Sequence, residues 1–250
     1  MLSETVISIK DLYYKYPDGT PALQGISLEI KEGESVAVIG HNGAGKSTLL
    51  KHLNGIVHGK GEITIAGLPV KKENLKAIRQ QVGIVFQDPD DQLFCPTVYD
   101  DIAFGLVNMG VEREKIANLV KETLDKMGLA GFEHRSAHHL SYGQKKRVAI
   151  ATILSMLPKI MVFDEPTSNL DPHNEYLLLE TIKQLPGTKI MVSHDLPILF
   201  QLCDRFIVLA KGKVVEDTTR EKFIQNIPLI KEHGLDYRFK CRFCPHYTGE

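Results

Sequence analysis

The chain has 250 residues, of which 43% are hydrophobic, and its formal net charge at pH 7 is -1. A chain of this length and composition can bury a sizeable core in one or two domains, which predicts a globular protein. The near-neutral charge supplies no basic field for nucleic acid, and no apolar run approaches the ~20 residues that cross a bilayer.

The N-terminal region predicts strands with one wet face. The opening stretch MLSETVISIK has no charged leader followed by an apolar block, so we expect a cytoplasmic protein that reaches a membrane only through a partner. Apolar and polar residues alternate in ISLEI (26–30) and EITIAG (62–67). This alternation predicts an antiparallel β subdomain near the N-terminus.

Four other apolar runs are nearly continuous, and helical patterns follow most of them. The runs are SVAVIG (35–40), VGIVFQ (82–87), IMVFDE (160–165) and KIMVSH (189–194). Such runs are typical of parallel strands that are buried on both faces. The sequence therefore predicts an α/β fold with a mainly parallel central sheet.

Helical patterns dominate residues 96–158, which we interpret as a helical insert. Within EREKIANLVKETLDKMG the apolar residues lie on one helical face, and Gly128 is a suitable stop. The face consists of Ile116, Leu119, Val120, Leu124 and Met127. Further on, FIVLAKGKVVE (206–216) predicts a hairpin that turns at Lys211 and Gly212.

The first candidate site is GHNGAGKST, which lies between an apolar strand and the helical pattern STLLKHLN. Its spacing is that of a P-loop, whose backbone N–H groups close around phosphate oxygens. Lys46 would neutralise the β and γ oxygens, and the Ser47 hydroxyl would ligate Mg²⁺. A glycine-rich turn that only caps a helix is the alternative. The remaining predicted nucleotide contacts are Gly40, His41, Asn42, Gly43, Ala44, Gly45 and Thr48.

Acidic and other polar side chains follow the later strands. Asp164 ends the run IMVFDE and is a predicted Mg²⁺ ligand, while the neighbouring Glu165 can polarise an attacking water. Gln87 and His194 also follow apolar runs, at strand ends where open α/β sheets bind ligands. Such residues are often only solvated or structural. Because these residues occur in a chain that also has a P-loop, we predict that they act in catalysis. The predicted catalytic residues are Lys46, Gln87, Glu165 and His194, and Gln87 is also predicted to reach Mg²⁺.

The stretch LSYGQKKR (140–147) opens a further helix with Ser, Gly and several donors. Helix openings of this kind favour an anion because their N–H groups are unsatisfied and the helix dipole is positive there. The chain therefore presents two candidate phosphate sites.

In this order, the motifs resemble the nucleotide-binding subunits of ABC transporters over nearly all of residues 5–220. The resemblance adds a signature motif, LSYGQ, and a D-loop, SNLD. It implies an active ATPase that uses ATP and Mg²⁺, and an adenine that stacks on Tyr16. It also implies head-to-tail pairing with a second ABC ATPase subunit, either an identical chain or a paralogue. Ser141, Gly143 and Gln144 of one chain would then contact the ATP that the other chain's P-loop holds.

Two positions depart from the family pattern. Tyr142 stands where the signature usually has Gly, so its side chain must point away from the γ-phosphate or the site is weakened. Asn169 stands where the D-loop usually has Ala, and the direction of its effect is left open.

A longer stretch, FQDPDDQLF (86–94), resembles the ATPases of energy-coupling-factor importers, particularly the cobalt and nickel branch. The implied partners are a membrane-embedded coupling subunit and a substrate-binding membrane subunit, with this chain peripheral on the cytoplasmic face. Vitamin uptake by the same type of machine is one alternative, because substrate choice lies in another polypeptide. A soluble ABC ATPase of DNA repair or translation is another, although such proteins usually carry two nucleotide domains or a long coiled coil.

The C-terminal end is the least informative region. We predict an ABC ATPase domain over residues 1–220, with its helical subdomain at about 96–158, and a mostly helical tail over 221–250. Cys241, Cys244 and His246 have metal-ligand spacing, but a structural zinc site needs four ligands. An exposed or partner-binding tail is the alternative.

Overall fold

The computed structural model of the protein describes residues 4–235. Its strands are β1 (Thr5–Lys15), β2 (Pro21–Lys31), β3 (Ser35–Ile39), β4 (Lys60–Ile65), β5 (Leu68–Pro69), β6 (Val82–Val85), β7 (Ile160–Asp164), β8 (Thr188–Val192), β9 (Arg205–Ala210) and β10 (Lys213–Thr219). Its α-helices are α1 (Lys46–Leu53), α2 (Leu75–Gln81), α3 (Val98–Met109), α4 (Arg113–Lys126), α5 (Tyr142–Leu154), α6 (Pro172–Gln184), α7 (Leu196–Leu202), α8 (Arg220–Gln225) and α9 (Ile227–Glu232). Short 3₁₀ turns occur at Lys72–Asn74, Pro89–Asp91 and Ala137–His139.

The chain divides into two compact units. Of the described residues, 4–75 together with 188–235 form one, called here the terminal unit, and 76–187 form the other, called the central unit. Along the described residues, no helix combines the length and the apolar character that crossing a membrane requires.

The first sheet of the terminal unit is antiparallel, with strand order β2-β1-β4-β5. In β2 the side chains of Ile26, Leu28 and Ile30 are buried, while those of Ser27 and Glu29 between them are exposed. The predicted antiparallel β subdomain with one wet face is therefore confirmed.

The second sheet of the terminal unit contains β3 in parallel pairing with both β8 and β9. Residues 36–39 of β3 are all buried, as expected for a strand that is covered on both faces. The edge strand β10 pairs with β9 in antiparallel orientation. A mainly parallel sheet was the expectation from the continuous apolar runs, and the strands agree with it.

The turn between β9 and β10 braces the loop that follows β3. Lys211 and Gly212 both have positive φ, 48° and 74°, as a two-residue hairpin of the predicted kind requires. The Gly212 N–H donates to the Ala44 carbonyl at 3.0 Å, and the Gln24 N–H donates to the Gly212 carbonyl at 2.7 Å. The hairpin residue Gly212 thus links β2 to the predicted phosphate loop.

The central unit combines the parallel pair β6 and β7 with helices α3 to α6. On α4 the predicted apolar face is buried at Ile116, Val120 and Leu124, whereas Leu119 is half-buried. The helix stops at the predicted place, since Gly128 has a φ of 64°. In α5 the apolar second half, residues 148–154, is largely buried.

Replacing Gly212 with Ala should destabilise the protein more than the same change at Gly67. Both residues have a similar positive φ, 74° and 78°, but a Cβ at Gly212 would lie 2.6 Å from the Ala22 carbonyl oxygen, whereas one at Gly67 would contact nothing. We expect Gly67→Ala to lower the free energy of unfolding by about 1 kcal/mol through backbone strain. The crowding at Gly212 should add about 1 to 3 kcal/mol more. Urea denaturation measures both, and equal losses would contradict the close approach of Gly212 to the Ala22 carbonyl oxygen.

Candidate functional site

The predicted phosphate loop lies between β3 and α1 in the terminal unit. Gly45 is the N-cap residue of α1, with a φ of 105°, and no side chain hydrogen-bonds to the helix start as a cap. Glycine has no side chain that could occupy this helix N-terminus, and such a terminus is well suited to an anion. The predicted loop contacts therefore lie together in one strand, loop and helix arrangement.

Lys46 is folded against this loop. Its Nζ donates to the carbonyls of Gly40, at 2.6 Å, and His41, at 3.0 Å, and the residue is nearly fully buried. These contacts hold the ammonium at the inner side of the loop. Ser47, the predicted Mg²⁺ ligand, is exposed in the first turn of the helix.

Tyr16 contacts the same helix. Its hydroxyl and that of Thr48 share a hydrogen bond of 2.7 Å, and its ring packs edge-on against Tyr14 at 5.3 Å between centroids. Tyr16 remains partly exposed. The structure therefore brings the predicted adenine-stacking residue beside the phosphate loop, although the stacking itself stays a prediction.

His194 follows β8, at the same edge of the sheet as the phosphate loop. Val38 of β3 pairs in parallel with Val192 of β8, so both strands end together. His194 is exposed two residues further on. In open α/β sheets this carboxyl edge is where ligands bind.

The central unit gathers the other predicted catalytic residues at the ends of β6 and β7. Val85 of β6 pairs in parallel with Phe163 of β7, so Gln87 and Asp164 follow from the same edge. Glu165 is only 9% exposed and has a φ of 48°, in the left-handed region that a residue other than glycine rarely adopts. Backbone strain of this kind is concentrated at functional sites.

The predicted signature motif forms the start of α5. Ser141 is the N-cap residue, and its hydroxyl accepts from the Gln144 N–H while the Gln144 side chain accepts from the Ser141 N–H. This capping box fixes the helix start. Gly143 is buried, and a Cβ there would lie 2.9 Å from the Asn174 side chain. Ser141 is exposed, and no acidic residue lies in the first turn, so an anion meets no repulsion from this turn.

Tyr142 points toward the residue that follows β6. Its hydroxyl donates to the Gln87 carbonyl at 3.4 Å, and its ring centroid lies 5.5 Å from the Nζ of Lys146. The side chain that departs from the family pattern is thus turned onto its own chain.

Lys146 is a residue that the sequence reasoning missed. It is fully buried, and its Nζ donates to the Gln87 carbonyl at 2.7 Å, the Glu165 carbonyl at 3.0 Å and the Ser168 hydroxyl at 3.3 Å. Burial lowers the pKa of Lys146 to about 8, and nearby Asp88 and other carboxylates oppose that shift. Helical spacing could have identified it, because residues three and seven positions after Gly143 share its buried face.

The possible metal ligands of the tail, Cys241, Cys244 and His246, lie outside the described residues. Among the residues that are described, His, Cys, Asp and Glu side chains form no group of three or more that could hold a metal ion.

Comparison with known proteins agrees with the fold and with the order of the motifs. Residues 23–168 match the protein family described as ABC transporter. A putative ABC transporter ATP-binding protein of Streptomyces avermitilis is 45% identical to the chain, over 95% of this chain and 91% of its own length. The energy-coupling factor transporter ATP-binding protein EcfA of Methanothermobacter thermautotrophicus is 49% identical, over 92% of this chain and 76% of its own length.

A solved structure of an ABC transporter subunit is also similar to the chain. The structure of cbiO1 from Clostridium perfringens, described as part of the ABC transporter complex cbiONQ, matches with a TM-score of 0.80 and 36% identity. The match covers 96% of this chain and 98% of that one. The chain therefore belongs to the ABC transporter family, as an ATP-binding and ATP-hydrolysing subunit of the energy-coupling factor type.

Proposed function

We propose that this chain powers the import of cobalt or nickel ions, as an ATPase subunit at the cytoplasmic face of a membrane. The observation that carries the proposal is the 36% identity to cbiO1 over 96% of the chain, since that protein is part of the complex cbiONQ. The stretch FQDPDDQLF, which resembles the same branch, supports it.

We assign the phosphate contacts to the loop between β3 and α1. The backbone N–H groups of residues 40–48 bind the phosphates, and the Lys46 ammonium moves from loop carbonyls to the β and γ oxygens. Tyr16 stacks on the adenine. Its hydrogen bond to Thr48 supports this assignment because it ties the aromatic ring to the phosphate-binding helix.

Each of the three predicted magnesium ligands has a suitable oxygen donor. Ser47 offers an exposed hydroxyl, Asp164 a half-buried carboxylate and Gln87 an exposed amide, and oxygen donors of these kinds are the ligands that Mg²⁺ prefers. When bound with ATP, the ion neutralises charge on the phosphate oxygens. Ser47 and Asp164 would hold it, with Gln87 reaching either the ion or the attacking water.

Hydrolysis requires a base and a sensor of the γ-phosphate. Glu165 accepts the proton of the attacking water, a role that its burial at the end of β7 suits because the carboxylate is shielded from bulk solvent. His194 binds the γ-phosphate from the end of β8. Both residues follow strands that end at a ligand-binding edge of their sheet.

A second ABC ATPase subunit completes each site in this proposal. The start of α5, with Ser141, Gly143 and Gln144, binds the γ-phosphate of the ATP held by the partner's phosphate loop. The capping box supports this role, because it presents the helix N-terminus in one conformation. ATP binding then closes the dimer, since only the closed state contains both halves of a site.

An apolar surface on the central unit suits the membrane-embedded coupling subunit. Phe94 and Phe104 are exposed and pack edge-on at 5.1 Å, and Val107 is exposed one turn further along α3. Leu157 adds a further exposed side chain. Exposed apolar groups that lie together are typical of protein interfaces. We call these four residues the apolar patch.

A groove adjoins the apolar patch within the central unit. It has a volume of about 420 Å³, and its lining includes Gly105 and Met109 of α3, Met156, and the basic residues Lys76 and Arg79. Gly105 follows the patch residue Phe104 in sequence, Met156 precedes Leu157, and the Met156 side chain packs against Gly105. A helix that carries apolar and acidic side chains would fit this surface.

Vitamin uptake by the same type of machine is the alternative, because the family resemblance places substrate choice in another polypeptide. Purification of the subunit from its native membrane in mild detergent, with identification of every stoichiometric partner by mass, distinguishes the two. We expect a metal-type membrane component. A vitamin-binding component would show that the proposed substrate is wrong and that the machine imports a vitamin. The absence of any membrane protein would contradict the role in transport.

Glu165→Gln should slow ATP hydrolysis while ATP binding remains. We expect kcat to fall by about 10²- to 10⁴-fold, the range for the loss of a general base. Glu122→Gln, the same change on an exposed position of α4, is the control and should leave kcat unchanged. Steady-state phosphate release measures both variants. Undiminished hydrolysis by Glu165→Gln would overturn the assignment of the base.

Val107→Glu should abolish copurification with the membrane subunit and leave ATP binding intact. The change puts a charge into the apolar patch. Because Val107 is 59% exposed, the fold should tolerate the charge, but an interface that buries Val107 should not. Val215→Glu on β10 is the matched control, since Val215 is 41% exposed and lies outside the patch. Loss of the partner in both variants, or in neither, would contradict docking at the patch.

A further inference from the structure

Among the described residues, Lys146 is the largest charged side chain that is completely buried. A buried ammonium is costly unless hydrogen bonds replace its water shell, and an apolar side chain of the same length would fill the space without that cost. Three oxygen acceptors surround its Nζ within hydrogen-bonding distance. All three acceptors belong to segments outside helices and strands. The Lys146 ammonium therefore links two loops by hydrogen bonds that regular secondary structure does not provide.

The first of these loops carries Glu165. The Glu165 carbonyl accepts from the Lys146 Nζ at 3.0 Å, and also from the Ser168 hydroxyl at 2.9 Å and the Ser168 N–H at 3.3 Å. These donors fix the peptide that follows Glu165 and so maintain its φ of 48°. The direction of the Glu165 carboxylate depends on that backbone conformation, which is unfavourable for a residue with a Cβ unless its surroundings enforce it.

The second loop carries Gln87. The Gln87 carbonyl accepts from the Lys146 Nζ at 2.7 Å and from the Tyr142 hydroxyl at 3.4 Å. The Gln87 side chain itself is exposed. The start of α5 therefore holds the backbone of Gln87 by two side chains, while the Gln87 side chain stays exposed.

We propose that Lys146 is a positioning residue for ATP hydrolysis, whose ammonium holds the backbones of Gln87 and Glu165 in the conformation from which their side chains act. It acts through these residues and does not touch ATP. The inference rests on the proposed roles of Glu165 and Gln87. A lysine that only fills the core would affect stability and leave the chemical step unchanged.

The test is Lys146→Met in the assembly that copurifies with the chain. Methionine fills similar space and has no donor, so the two carbonyls lose a shared partner. We expect kcat to fall by about 10²-fold, the effect of a displacement of about 1 Å in a catalytic group. The KM for ATP should stay unchanged, because the phosphate loop lies elsewhere in the sequence and makes no hydrogen bond to Lys146. Lys146→Arg, which restores the donors, should recover most of kcat.

Lys121→Met is the matched control. It is the same change at an exposed position of α4, away from the loops that carry Gln87 and Glu165 in sequence. This variant should keep the wild-type kcat. Melting temperatures of all variants show whether each is folded at the assay temperature.

A folded Lys146→Met protein with the wild-type kcat would overturn the inference, as would an Arg variant that is as slow as the Met variant. If Lys146→Met does not fold, Lys146→Gln replaces it, and equal kcat values for the Gln and Arg variants would contradict the role. Glu165→Gln is assayed alongside. Full activity of that variant would overturn the base assignment, whereas a slow Glu165→Gln with a fast Lys146→Met would overturn only the inference about Lys146.

Discussion

Parallel strand pairing determines where the loops that carry Lys46, Gln87, Glu165 and His194 begin. In the terminal unit the pairing of β3 with β8 makes the phosphate loop and His194 leave the sheet at one edge. In the central unit the pairing of β6 with β7 does the same for Gln87 and Glu165. Parallel strands all direct their carboxyl ends to one side, so residues far apart in sequence become neighbours without any contact between their own side chains.

Strand ends alone do not fix the conformation of the loops, and other groups have to do so. In the terminal unit the hairpin residue Gly212 links β2 to the Ala44 carbonyl of the phosphate loop. In the central unit the buried ammonium of Lys146 bonds to the carbonyls that follow β6 and β7. Loop carbonyls outside regular structure need such partners, because a buried peptide group without a hydrogen bond is costly. Each unit therefore holds a predicted functional loop by hydrogen bonds from outside that loop.

Much of this arrangement could be predicted from the sequence, since the signals are local. Continuous apolar runs identified β3, β6, β7 and β8, and the glycine spacing of GHNGAGKST identified the phosphate loop. The direction of Tyr142 could not be predicted, because a side chain next to a helix start follows contacts made by distant segments, here with Gln87. Lys146 was missed for the same reason, since its acceptors lie 59 and 19 residues away in sequence. The apolar patch is also a property of the folded surface, as the burial of α3 residues depends on their neighbours.

The proposal that one chain carries halves of two ATP sites is open to direct observation. An experimental structure of the Glu165→Gln complex, isolated with its natural partners and saturated with MgATP, would show which residues contact each nucleotide. We expect the phosphate loop of this chain to hold one ATP, and Ser141 and Gly143 of the same chain to contact the γ-phosphate of the ATP held by the other ATPase subunit. A structure in which the start of α5 contacts no nucleotide would contradict the two-subunit site.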